Sequence, residues 1–437
     1  VDTSPTVQCF TVNHGLLSEV FFMFASYNCI IMKPIVLVLA GGKGVRMAPF
    51  LTNKTMWPFL GDPLIVHVLR AISEGGFDEV LVVSSSNNDS FVRSLSIKNL
   101  KIHTVIQDDA RGMDDAVLQA EPLIGKRSMI VVNGVDLVHP SLFAKVKHKI
   151  EAEDPPLLVC GMQTSALLPM GYYRLKGDRV VETIEKPNAA TKPSNIVRLT
   201  LDYFKKGDEF FQALASVSQQ NNAQTDARYE AAQSLLLAQN PATLILYDGY
   251  WQKLKYPHYV LDITKLLLTH CVRRSIAPSA NISPRACVEG DVIIGENAVI
   301  EAGAIVKGPC YIGKHVVVGT NSLVRQSIIE EHSVVGFASE VARSYVGPRC
   351  NLHHSFVGDS VLEKEVNMSW GTVTANLRFD KKTVRLKLPP HQEILDTGRD
   401  KLGALIAQGA FLGVNVSTMP GTVISAYTTI LPHTKHS

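Results

Sequence analysis

Cysteine is sparse and unpatterned in this chain of 437 residues. Its seven cysteines (Cys9, Cys29, Cys160, Cys271, Cys287, Cys310 and Cys350) include no C-x-x-C pair and no histidine at zinc-site spacing. That excludes a disulfide-stapled scaffold and a structural zinc module, and it points to reduced, packed thiols in a cytoplasmic protein. Charge of one sign is lacking too. A formal net charge of +3 over this length gives no reason to expect a nucleic-acid or membrane-surface partner. Long apolar runs are also missing. Residues 16–31 come closest, but Glu19 and Asn28 interrupt them and no Lys or Arg precedes them. A signal peptide needs a basic start and a membrane span a longer clean run, so neither is expected. Met32 stands directly before a strand-like run, so residues 1–31 read as an upstream extension outside the fold, with Met32 as the functional start.

What remains is globular, with 46% hydrophobic and 19% charged residues, and the length calls for two or three domains. From residue 32 to about 268, short β-branched runs (35–39, 80–84, 128–132, 156–160) alternate with helical spacing (64–73, 116–123, 230–238). This alternation predicts an open, mainly parallel α/β sheet, with ligands at the carboxyl ends of its strands.

Beyond about residue 275, and on to 437, the pattern changes. Aliphatic residues fall every six positions from Ile276 through Ile282, Val288 and Ile294 to Val324, and a small residue follows most of them four places later. A period of six fits neither a heptad nor a twofold strand alternation. It predicts a triangular solenoid, a left-handed β-helix of hexapeptide repeats with the aliphatic residue pointing inward. The frame slips by one after Val324, is irregular over 346–370, and recovers at Ile406. Residues 377–404 break the repeat, with Arg378, Lys381, Lys382, Arg385 and Lys387 making them basic. That segment reads either as a solvated excursion or as a cationic arm reaching a phosphate or coenzyme on a neighbouring subunit.

The strongest local signal follows the first predicted strand: Leu39-Ala40-Gly41-Gly42-Lys43-Gly44-Val45-Arg46-Met47-Ala48-Pro49. Three glycines let the backbone turn tightly and present N–H donors to a phosphate or base, and Arg46 adds a planar cation. The spacing is neither G-x-G-x-x-G nor a Walker loop, which counts against hydride transfer and P-loop ATPase chemistry. Trp57, Trp251 and Trp370 could stack on a base or sugar, although buried packing is the commoner role of tryptophan.

This segment resembles the L-A-G-G-x-G-T-R-L-x-P signature of sugar-1-phosphate nucleotidylyltransferases, and the run from Asn53 to Ile65 resembles their P-K-P-M-L-P-V-x-G-K-P-L-I. Gln107 with Gly112-Met113-Asp114-Asp115-Ala116 is similar to the base-recognising segment, and Asn133-Gly134-Val135-Asp136 to N-G-D. Glu185-Lys186-Pro187 is similar to E-K-P, and Trp251 heads the counterpart of W-x-D-x-G. In the second half, Val357-Gly358-Asp359-Ser360, the stretch from Gly371 to Arg378 and that from Asp396 to Ala404 resemble the bifunctional branch of archaeal type. That branch couples uridylyl transfer to acetylation of an amino-sugar phosphate.

The resemblance implies that a sugar-1-phosphate oxygen attacks the α-phosphorus of a nucleoside triphosphate and releases pyrophosphate. Leu39, Gly41, Gly42, Gly44, Gln107 and Gly112 would hold base and phosphates, Arg46 would face the β- and γ-phosphates, and Lys54 would bridge both phosphates. Asn133 would line the site, Glu185 and Lys186 would meet the sugar, and Asp136 would bind Mg²⁺. For acetyl transfer from acetyl-CoA, His353 would be the general base (His354 if the repeat shifts by one), Asn376 would stabilise the oxyanion, and Lys401 would touch phosphate or coenzyme. The flat solenoid faces imply a homotrimer.

The chain departs from the family pattern at Val45, at Val135 with Asp136 one place on, at Lys253 where a metal carboxylate stands, at Phe356 for a tyrosine, and at Trp370 for a small residue. Two competing readings follow. One is a non-catalytic sugar-nucleotide binder or regulatory subunit, favoured by Lys253. The other is a monofunctional acyltransferase with a structural N-terminal half.

Overall fold

A computed structural model describes residues 33–109, 111–219, 228–389 and 393–436. The expected extension 1–31 and the start at Met32 lie outside them. A nine-stranded sheet forms the first half. Its strands are β1 (Ile35–Leu39), β2 (Glu79–Ser84), β3 (Lys101–Ile106), β4 (Met129–Asn133), β5 (Leu157–Gln163), β6 (Gly171–Lys176), β7 (Arg179–Glu185), β8 (Ile196–Phe204) and β9 (Ala242–Leu246), in the order β3-β2-β1-β4-β8-β5-β9-β7-β6. Seven of the nine run in one direction, as the alternation predicts; β8 and β7 run against them. Continuous apolar runs such as Ile35–Leu39 and Met129–Asn133 suit strands covered on both faces.

The main helices are α1 (Leu64–Glu74), α2 (Met113–Gln119), α3 (Pro140–Glu153), α4 (Gly207–Gln219), α5 (Arg228–Gln239) and α6 (Tyr259–His270). α1 and α3 cover one face of the sheet, while α2, α4 and α5 cover the other. The helix expected over 116–123 starts earlier and is interrupted at Ala120. Leu39 pairs with Asn133 and with Val83, so the carboxyl ends of β1, β2 and β4 open on the same edge. None of the described helices is long and apolar enough to cross a membrane.

From Ser275 the chain winds into three parallel eight-stranded sheets, the left-handed β-helix. The frame slip after Val324 has a simple geometry. At the corner from the third face to the first, the inward positions step from Val324 to Ile329, from Val341 to Val346 and from Val357 to Leu362, five residues each time. The expected irregularity over 346–370 is therefore regular, with Val346, Leu352, Val357, Leu362 and Met368 all fully buried.

The chain leaves the solenoid after Ala375 and rejoins it at Ala404, and between them Arg385–Leu388 forms a hairpin with Glu393–Asp396. Val384, Leu386 and Leu402 are completely buried in a cluster with Val260 and Leu261 of α6, and Arg399 pairs with Asp262. This docking corrects the solvated-excursion reading, because alternate hairpin residues are apolar and find their cover on the same chain. Arg385 and Lys387 face outward.

The same cluster joins the two halves. Trp57, Phe59 and Leu64 pack on Tyr311, Ile328 and Tyr345, and the Tyr345 hydroxyl donates to the Pro58 carbonyl at 2.8 Å. Glu363 accepts from the Leu51 and Thr52 N–H groups at 3.0 and 2.7 Å, and from the Gln408 N–H at 2.8 Å. Trp57 is thus a packing residue, with 1% of its surface exposed.

Candidate active site

The glycine-rich turn leaves β1 at the open edge of the sheet. A Cβ on Gly41 would lie 2.7 Å from Gln107 Oε1 and 3.1 Å from the Ser84 carbonyl, so the turn approaches its neighbours as only glycine allows. Gly44 adopts φ +68° and lets the Lys54 side chain pass against its backbone. Gln107 is buried, and its amide donates to the Gly112 carbonyl at 3.2 Å and to Asp115 Oδ2 at 2.7 Å. Lys54 begins a short 3₁₀ turn capped by Asn53, whose side chain accepts from the Thr55 N–H at 3.0 Å.

One residue that sequence reasoning missed ties these pieces together. Asn88, fully buried, donates to the Ala40 carbonyl at 3.0 Å and to Thr55 Oγ1 at 2.9 Å. A lone Asn in a polar run carries no motif that would have marked it.

Two clefts adjoin here. The first, about 470 Å³, is lined by Leu39, Gly41, Gly42, Gly44, Gln107 and Gly112, among others. The second, about 300 Å³, is lined by Asp136, Glu185, Lys186, Arg198, Glu230 and Lys253. Arg46, Lys54, Asn133 and Lys255 line both. The structure therefore brings together every N-terminal candidate from the sequence. It adds Lys255 and the floor of the second cleft, where the Arg198 guanidinium, over the Tyr229 ring, pairs with Asp202 at 2.6 Å and Glu230 at 2.7 Å. Lys255 was legible in principle, two residues from Lys253 on an extended segment.

Asp136 and Lys253 face each other as partners in a short antiparallel ribbon, Asp136–Val138 with Trp251–Lys253. The Trp251 Nε1–H donates to Asp136 Oδ2 at 3.2 Å, and Oδ1 is enclosed without a partner. Burial raises the Asp136 pKa, opposed by the charge of Lys253. Burial lowers the pKa of Lys54 and of Lys253, opposed in both cases by Asp136. Lys255 is pulled down to about 8 by burial and by the neighbouring cations Lys253, Arg46 and Lys186.

Mg²⁺ in such sites is held by one or two carboxylates together with substrate phosphates and water. Here the residue paired with Asp136 across the ribbon is Lys253, whose ammonium repels the cation. This donor set does not fit the Mg²⁺ site that the resemblance implies.

The β-helix candidates lie apart from these clefts. His353 is exposed where the chain enters the third face, and Asn376 lies where the next coil leaves it. Asn376 donates to Asp359 Oδ2 at 2.5 Å, and Asp359 also takes two bonds of 2.7 Å from Arg343. The His354 ring stacks on Trp370, centroids 4.9 Å apart. Lys401 is exposed and bridges to Leu377 through the backbone.

Comparison with known proteins follows the same division. A nucleotidyl transferase family model matches residues 35–254, and a GMPPB C-terminal domain model matches 272–387. The bifunctional sugar-1-phosphate nucleotidylyltransferase/acetyltransferase of Sulfurisphaera tokodaii is 30% identical over 400 residues, 90% of this chain and 95% of that protein. The bifunctional protein GlmU of Methanococcus maripaludis is 29% identical over 398 residues, 89% of this chain and 91% of that protein. The chain belongs to the nucleotidyl transferase family, in the branch that carries a C-terminal β-helix.

Proposed function

We propose that the protein transfers a nucleotidyl group from a nucleoside triphosphate to a sugar-1-phosphate, giving a nucleotide sugar and pyrophosphate. The observation that carries this reading is the pair of adjoining clefts with Arg46, Lys54, Asn133 and Lys255 common to both. A triphosphate in the first cleft and a sugar phosphate in the second would meet at those shared residues.

One oxygen of the sugar phosphate attacks the α-phosphorus, a new P–O bond forms, and the bond to the β-phosphate oxygen breaks. Pyrophosphate leaves with that electron pair. Such a step needs alignment and charge neutralisation rather than covalent help. Gly41, Gly42 and Gly44 would cradle the phosphates with backbone donors, and Gln107 and Gly112 would meet the base. Arg46 would hold the leaving pyrophosphate, Lys54 the attacking and attacked phosphates, and Glu185 with Lys186 the sugar. No step is routed through Mg²⁺, because Asp136 stands against Lys253.

The test is incubation with each nucleoside triphosphate and a panel of sugar-1-phosphates, with and without Mg²⁺, followed by mass spectrometry for nucleotide sugars. The absence of nucleotide sugar under all of these conditions sinks the reading and favours a sugar-nucleotide binder.

Acetyl transfer is the second reading, favoured by the name of the Sulfurisphaera tokodaii relative. His353 and Asn376 sit at opposite edges of one solenoid face, so a shared acceptor would require faces from neighbouring copies. The large apolar side chains exposed on the coils, Phe337, Trp370 and Phe411, support a homotrimer. Acetyl-CoA with an amino-sugar phosphate, assayed on the wild type and His353→Ala, tests the activity, and light scattering tests for three times 47.8 kDa. Five cysteines among the described residues are free thiols, in keeping with a cytoplasmic setting.

A further inference from the structure

Where the first and second clefts meet, cations outnumber anions. Arg46, Lys54 and Lys255 line both clefts, and Lys186 and Lys253 line the second. Asp136 acts on Lys54 and Lys253 and Glu185 on Lys253 and Lys255, so two carboxylates face three ammonium groups. Glu230, on the cleft floor, is already committed to Arg198. Glu185 lies 3.8 Å from the Lys186 ammonium.

Lys253 is also held in place. Its ammonium lies 5.4 Å from the centre of the Trp251 ring, and the ribbon register fixes it opposite Asp136. The Trp251 indole in turn is anchored on Asp136 Oδ2. A half-buried ammonium group held in this way repels a divalent cation and attracts a polyphosphate. The site is therefore arranged for the charge that a metal would otherwise neutralise, and arranged against the metal itself.

We propose that Lys253, with Lys54 and Lys255, takes the place of a divalent cation, so that the site binds its triphosphate free of metal. The inference rests on reading the clefts as a triphosphate and sugar-phosphate site. It goes further by assigning the metal's electrostatic part to protein side chains that need no assembly at the moment of binding.

Calorimetric titration of the full chain tests it, using UTP, CTP, ATP, GTP, dTTP and inorganic tripolyphosphate, each in EDTA and in excess Mg²⁺. At least one nucleotide is expected to bind in EDTA within about threefold of its affinity in Mg²⁺. Lys253→Gln should weaken the binding in EDTA by about tenfold or more, whereas Lys253→Arg, which keeps the charge, should weaken it far less. Lys255→Gln, at a position outside the ribbon, should weaken it in the same direction, which covers the case of a Lys253 variant that fails to fold.

Nucleotide binding that appears only with Mg²⁺ overturns the proposal and leaves the transferase reading standing. Equal affinities of wild type, Lys253→Gln and Lys255→Gln in EDTA overturn it as well. Tripolyphosphate binding in EDTA that is lost in both Gln variants, without binding of any nucleotide, supports the lysine site and removes the nucleotide reading. No binding of any probe removes both.

Discussion

Glu330 sits on the β-helix face that meets the first domain. One of its oxygens accepts from the Gly61 N–H at 3.1 Å, and the other is enclosed without a partner. Burial pushes its pKa up to about 8, against an ordinary 4.5. In the window between those values the folded chain holds a proton that the unfolded chain has released. Its contribution to stability is therefore full below the unfolded pKa and is lost as pH rises through the folded one. We expect on the order of 5 kcal/mol of stability to disappear between about pH 4.5 and pH 8 through this group. Glu330→Gln should flatten that part of the profile in urea titrations, and an unchanged slope in the variant would remove Glu330 as its source. At this scale the sequence was legible where function is local. The turn from Leu39 to Arg46 could be read because consecutive residues build it. Asn88 and Arg198 could not, because each acts on partners that only the folded sheet supplies.

Among elements, the solenoid was the most legible, since its core residues are spaced by the chain itself. Neighbours on one strand show how strict that spacing is: Val306 is wholly buried, while Ile305 is 40% exposed. Val306→Ala should cost about 2 kcal/mol in denaturant unfolding and Ile305→Ala less than about 0.5. Equal costs would mean that the inward register is wrong. The five-residue corners were harder to read, because deleting one residue from a turn erases the period without disturbing the stack. The hairpin within 375–404 was harder still. Its alternate apolar residues, Val384 and Leu386, have meaning only once α6 lies beneath them.

Across the whole molecule, the middle coils of the first β-helix face are buried on both sides. Leu362 and Ile406 point into the solenoid, while Val361 and Leu405 point into the cluster shared with Trp57 and Phe59. The segment 51–61 that carries Lys54 is held by Glu363, Tyr345 and Glu330 from the other half. The two halves should therefore melt as one cooperative unit. Tyr345→Ala should split the calorimetric transition in two and weaken nucleotide binding, with a stability loss of about 3 kcal/mol. A single sharp transition in that variant would show that the halves are coupled elsewhere. No local sequence pattern announces this junction, because its residues come from stretches nearly three hundred positions apart.

The excursion at 375–404 has a consequence for how the chain is made. Most coils close on the previous coil within eighteen positions or fewer, so a nascent chain can wind them one after another as it leaves the ribosome. Leu362, however, pairs with Ile406, forty-four positions further on. Closing that longer loop costs only about 0.8 kcal/mol more in chain entropy, but it imposes a pause in the winding of the coils. Until the hairpin has emerged, the unfinished solenoid presents an open end of unpaired strands, and for that interval the growing chain is most exposed to pairing with another copy of itself.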